Sequence, residues 1–379
     1  MGYTRRLYFI IMLTASSSVA LSQPQANSAS TNIWWVPIVS ALIGAVAALI
    51  TPFVKDLMIQ GWNEARSKSA KQREIFRNYA APLAAASERL VWRFAEIFIE
   101  ERHQFLKTAT FPLIYNEYKR TSTLYRIACL LGWIRAINLE LNALPRGGSG
   151  FLTPVSGAIG KVQSALADGP EVELLRLKQM CSIWNLDLDS VDDKKKKSLA
   201  TQFEVNLYGL AGDALRHDSD HLKSVDLSKK IEICTALCQY LCTELKRAVI
   251  PDQIILETLN RAIVGLSYRE ALIYRDWQDA IGDAMLEQDP DSVRRFRLIG
   301  YERFEDVLKG PSLWMEVFRE SIVDIDFDAI DPNDFRAKQL RDVAVGVSEI
   351  IISLSGAEDK DLVGAPVLGV AKKLAGKKE

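Results

Sequence analysis

Apolar and polar positions divide the chain into two unlike parts. From Ile33 to Val54, IWWVPIVSALIGAVAALITPFV, no residue is charged. At about 1.5 Å per residue this run makes a helix of roughly 33 Å, enough for a hydrocarbon layer of about 30 Å. Trp34 and Trp35 at one end and Lys55 at the other suit the two headgroup boundaries. Residues 33–54 are therefore predicted to be a transmembrane helix. Beyond them apolar residues recur at three- and four-residue steps nearly throughout. Leu57 to His103 predicts one long amphipathic helix that bends near Pro82. TSTLYRIACLLGWIRAINLELNAL, from Thr121, predicts a helix capped by its Thr/Ser start, with Leu124, Ile127, Leu131, Ile134 and Leu141 on its apolar face.

Later punctuation reads the same way. Asp168, Asp289 before Pro290 and Asp331 before Pro332 are expected N-caps, and Gly310–Pro311 an expected stop and restart. Pro251 to Gln288 reads as one helix, and strand signals are nearly absent. The expectation is an all-α protein, a transmembrane helix followed by a large multi-helix domain. Residues 55–190 form one helical region and 198–355 a second, divided by the charged stretch DLDSVDDKKKKS, Asp187 to Ser198. Residues 356–379 read as a flexible basic tail, with the alternative that it lies on a lipid surface.

Residues 1–22 carry Arg5 and Arg6, then a short apolar run ending in small residues. That is the layout of a secretory signal, or of a first membrane span. Either reading puts the uncharged loop after Ser22 outside and brings the chain back in at residues 33–54. Lys55, Arg66, Lys68, Lys71, Arg73 and Arg77 then form the positive flank expected on the cytoplasmic side. A twin-arginine export signal at Arg5 and Arg6 is the competing reading.

Composition narrows the picture. With 47 Lys and Arg against 48 Asp and Glu, the chain as a whole is not built to attract nucleic acid. Five cysteines, an odd number without paired spacing, fit a reducing compartment.

Candidate chemistry is sparse. In HDSDH, His217 and His221 would share a helix face and hold one divalent ion, with Asp213 as a further ligand. The spacing is that of the zinc-protease H-E-x-x-H, with Asp218 in place of the base. Against it, the flanks resemble a helix end, where Asp218 and Ser219 would be capping residues. Cys234, Cys238 and Cys242 recur every four residues beside Ile231, Leu241 and Leu245, the pattern of a core stripe; a redox-responsive role would require one of them to be exposed. GGSGFLTPVSGAIGK lacks the phosphate-loop spacing, because Val155 stands where Gly is needed and Val162 follows Lys161. The carboxylates Asp276, Asp279 and Asp283 read as a solvated helix face.

Several stretches, TSTLYRIACLLGWIRAI, IYRDWQDAIGDAML, IGYERFEDVL, LWMEVFRESIVDID and RAKQLRDVAVGVSEII, resemble a group of bacterial proteins with a short membrane segment and a helical cytoplasmic region. The resemblance covers most of the chain from Ser122 onward. It implies a bacterial origin and an all-α fold, and it transfers no activity or functional residue. The expected protein is thus a scaffold or interaction protein of the bacterial inner membrane, its helical domain cytoplasmic. Its partners are the lipid bilayer and another protein, with no cofactor. The alternative is a membrane-anchored metal-dependent hydrolase using His217 and His221.

Overall fold

Helices dominate the described residues, as the three- and four-residue spacing predicts. The computed structural model describes residues 70–108, 112–142, 153–167, 170–211, 224–267, 273–328, 333–356 and 362–377, with isolated positions between them. The chain separates into Met1–Glu64 and Ala65–Glu379, and every described residue belongs to the second unit. Residues 1–22 and 33–54, with Trp34, Trp35 and Lys55, therefore lie outside the described residues. Among the described residues no helix is long and apolar enough to cross a membrane.

Two hydrophobic cores organise the second unit. The first is built by helix α1 (70–98), α2 (Leu113–Asn142), α3 (Thr153–Ala167) and elements that follow residue 273. α2 is its central helix. Leu124, Ile127, Leu131 and Ile134 are buried as predicted, and so are Ala128, Leu130, Ala136 and Ile137 around the rest of its circumference. α1 remains helical through Pro82 and stops at residue 98, short of His103. α2 begins at Leu113, two turns before the predicted cap. Thr123 is therefore an interior residue whose hydroxyl bonds back to the Lys119 carbonyl at 2.8 Å.

The second core is held by α4 (Pro170–Ile183), α5 (Asp193–Ala211), α6 (Leu227–Glu244) and α7 (Asp252–Leu266). Each packs on the next in sequence and α7 returns to α4, which closes a ring of four helices. This bundle is an excursion from the first core. The chain leaves after Leu166 and returns at Ile273, whose N–H bonds the Leu166 carbonyl at 2.8 Å. Gln278 fastens the neck, its side-chain amide donating to the carbonyls of Gln163 at 2.9 Å and Ile273 at 2.8 Å.

Several expected boundaries move. The 187–198 stretch lies within the second core: Asp192 accepts the Lys195 N–H at 3.0 Å, and Asp193 opens α5. Pro251 to Gln288 is not one helix. α7 ends at Leu266, where the Ser267 hydroxyl bonds back to Ile263 O at 2.7 Å, and α8 (Arg275–Met285) starts afresh. Asp289 is no N-cap, since it ends β1 (Leu286–Asp289), paired antiparallel with β2 (Arg295–Leu298) with Leu286 opposite Leu298. The Tyr79 hydroxyl donates to the Arg294 carbonyl and ties this hairpin to α1. Asp168, Asp331 and Pro332 lie outside the described residues.

α9 (Tyr301–Leu308) and α10 (Leu313–Glu320) meet at the predicted Gly310–Pro311 break. α11 (Arg336–Ser355) packs on α3, where Gly346 lets the two helices approach: a Cβ there would lie 2.8 Å from Val162 Cγ2. The tail is not loose over residues 365–374. It forms α12 (Ala365–Leu374) against α11, with Val367 and Ala371 buried in the first core.

Candidate functional site

Asp213, His217 and His221 lie in the segment joining α5 to α6, outside the described residues. Among the described residues no group of three or more His, Cys, Asp or Glu side chains is placed to hold a metal ion. Cys234, Cys238 and Cys242 point into the second core and all five cysteines are buried. Burial pushes the Cys234 and Cys238 thiols up to about 12. The redox reading required an exposed thiol among these three, and the fold presents none. Asp279 and Asp283 are half-exposed partners of Arg135, at 2.7 and 2.8 Å, across the α2–α8 contact.

The strongest convergence of charge lies instead where α1, the 3-10 turn Gln104–Leu106 and α2 meet. Glu96, near the end of α1, receives Lys119 Nζ at 2.6 Å, Arg93 Nη1 at 3.2 Å and Arg102 Nη2 at 3.8 Å. Arg126 is within electrostatic reach of the same carboxylate and donates to the Arg89 carbonyl at 2.9 Å. The Phe105 ring holds two of these cations, with Arg93 and Lys119 each 5.2 Å from its centroid. Arg93 is only 3% exposed. Its Nη2 donates to Ser122 Oγ at 3.3 Å and its Nη1 is ion-paired with Glu96 without hydrogen-bond geometry, while Nε meets no acceptor. Burial first, and then the charge of Arg126, lower the Arg93 pKa; burial also lowers that of Arg126.

Around this corner the surface is unusually apolar. Of residues 112–118 only Asn116 is buried, and Leu113, Ile114 and Tyr118 are 69, 83 and 57% exposed. Trp92 on α1 is exposed as well. Asn116 pins this turn by donating to the Lys107 carbonyl at 2.9 Å.

A second charged group sits beside the neck of the bundle. Arg176 of α4 and Glu204 of α5 form a buried ion pair, and Glu173 accepts from the Thr201 hydroxyl at 3.2 Å. Glu270, on the return to the first core, faces the same arginine. Burial raises its carboxyl to about 7, Arg176 lowers it, and Glu204 and Glu173 add to the rise.

No protein-family model, curated protein or solved structure matches the chain. Neither charged cluster was legible in the sequence. Glu96 and Lys119, like Arg176 and Glu204, come from different helices, and nothing in the local spacing pairs them. The one available signal was the apolar LIYNEY at the start of α2, where a solvated helix start would be polar.

Proposed function

We propose that the protein is a membrane-tethered interaction protein of the bacterial inner membrane, presenting its two-core helical domain to the cytoplasm. The uncharged run 33–54, bounded by Trp34, Trp35 and Lys55 and followed by a positive flank, supports the tether and its direction. The resemblance to bacterial membrane-anchored helical proteins agrees with it. The observation that carries the interaction reading is the exposed turn at the start of α2. Leu113, Ile114, Tyr115 and Tyr118 stand open to solvent within one stretch. Tryptophan, tyrosine and arginine are the side chains that dominate binding energy at protein interfaces, and a clustered apolar patch on an otherwise well-packed domain marks a contact surface.

A photo-crosslinking residue placed at Ile114 or Tyr118 in bacterial cells should give the same discrete protein adduct. Val293, 79% exposed in the hairpin loop, is the control and should give none. Equal labelling from all three positions, or no adduct at either patch position, would overturn the interaction reading.

A further inference from the structure

We propose that the corner around Glu96 is a binding site for a phosphate group. Three cations, Arg93, Arg102 and Lys119, converge on one carboxylate, and Arg126 addresses it from α2 with Arg89 behind. A carboxylate offers two oxygens; a phosphate offers three or four, with up to twice the charge. The corner has more donors than the protein supplies acceptors. Arg93 shows this directly: it is almost fully buried, its Nε meets no acceptor, and its Nη1 has only the ion pair with Glu96. Glu100 takes a share of Arg102, at 3.4 Å, but reaches neither Lys119 nor Arg126 in any contact of this structure.

Preorganisation supports the same reading. Arg93 and Lys119 are fixed against Phe105, and Glu96 draws Arg93, Arg102 and Lys119 together. Glu96 is then a built-in competitor. A phosphate enters from the open side, where the Arg102 side chain is 61% exposed and Arg89 is exposed. It takes its hydrogen bonds from Arg102, Arg126 and Lys119. Guanidinium forks suit phosphate oxygens better than a single carboxylate can use them. Two sources carry this chemistry, a soluble phosphate ester and a phospholipid headgroup. The site stands whether or not the partner surface or the tether is right.

The test uses the full chain in a neutral detergent, titrated with inorganic phosphate by calorimetry. The expected result is one saturable site. Arg102→Gln, an exposed change that leaves the cores intact, should weaken it roughly tenfold, as should Arg126→Gln, while Glu96→Gln should tighten it by a similar factor. The sign of the Glu96 change is decisive, because an ion pair serving only the fold would make Glu96→Gln lose stability without gaining phosphate. Absence of saturable binding, or weaker binding in Glu96→Gln, would overturn the proposal. The source is separated in nanodiscs. Slower hydrogen exchange across residues 89–102 with phosphatidylglycerol, relative to phosphatidylcholine alone, assigns the lipid headgroup. Phosphate binding in detergent without that protection assigns a soluble ester. Failure to enter nanodiscs would count against the tether and leave the detergent titration to decide the site.

Discussion

Glu270 shows how burial redirects an ordinary carboxylate. Held near Arg176 but also near Glu204 and Glu173, it is raised from 4.5 to about 7. The folded state therefore binds a proton that the unfolded chain releases between those values, and stability falls as pH rises through that window. Glu270→Gln should remove this slope. Relative to the wild type it should gain on the order of 1–3 kcal/mol at pH 8, read from denaturant unfolding at several pH values. A slope unchanged in the variant would contradict the assignment. Asp334 is the opposite case. Its side chain is 1% exposed and pairs with Arg336 at 2.8 Å, and the arginine also donates to the carbonyls of Val323 and Asp324. Burial works to raise its carboxyl, but the hydrogen bonds and charge of Arg336 outweigh burial and hold it below the usual range. Its contribution is present above the unfolded carboxylate range and is lost as pH falls through the folded pKa. Asp334→Asn should cost about 3–5 kcal/mol at pH 7, because it leaves the arginine buried without its counter-charge. It should also flatten the acid limb of the stability curve.

Helix ends and helix crossings explain what could and could not be read in advance. The periodic apolar positions of α2 and the cysteine stripe of α6 were legible, because a buried face repeats along the chain. Ends were not. α4 and α6 both close in the Schellman pattern. Leu186 N–H bonds Cys181 O after α4, and Arg247 N–H bonds Cys242 O after α6. The left-handed residues are Asn185 and Lys246, with φ of 53° and 54°, where the expected signal is glycine. Lys246→Gly should therefore stabilise by about 0.5–1 kcal/mol, visible as a higher Tm. The hairpin escaped for a related reason, since four residues per strand are too few to establish a two-residue alternation. Crossings depend on glycines the sequence does not explain. At Gly282 a Cβ would lie 2.6 Å from Arg135 Cβ and 3.0 Å from the Leu131 carbonyl, whereas Gly157 in α3 faces open space. Gly282→Ala should destabilise by about 1–3 kcal/mol despite alanine's better helix propensity. Gly157→Ala should stabilise by about 0.5–1 kcal/mol. The contrast between the two, measured by thermal unfolding, separates crowding from propensity.

The molecule as a whole is a helical domain interrupted by a four-helix insertion, joined to a segment that the sequence reads as a membrane span. All-α character was legible. The nesting was not, because the closure that makes the bundle an insertion is a bond between Leu166 and Ile273, far apart in the chain. The proposed role depends most on where this domain stands relative to the bilayer. Two reporters, one active only in the cytoplasm and one only outside it, fused in turn after Gly376, decide this most directly. The fusion point lies just past the end of α12 and disturbs neither core. Activity of the cytoplasmic reporter alone is the expected result, and it would place both the α2 surface and the Glu96 corner before cytoplasmic partners and inner-leaflet phosphates. Activity of the external reporter alone would contradict the tethered cytoplasmic arrangement and return the export reading of Arg5 and Arg6.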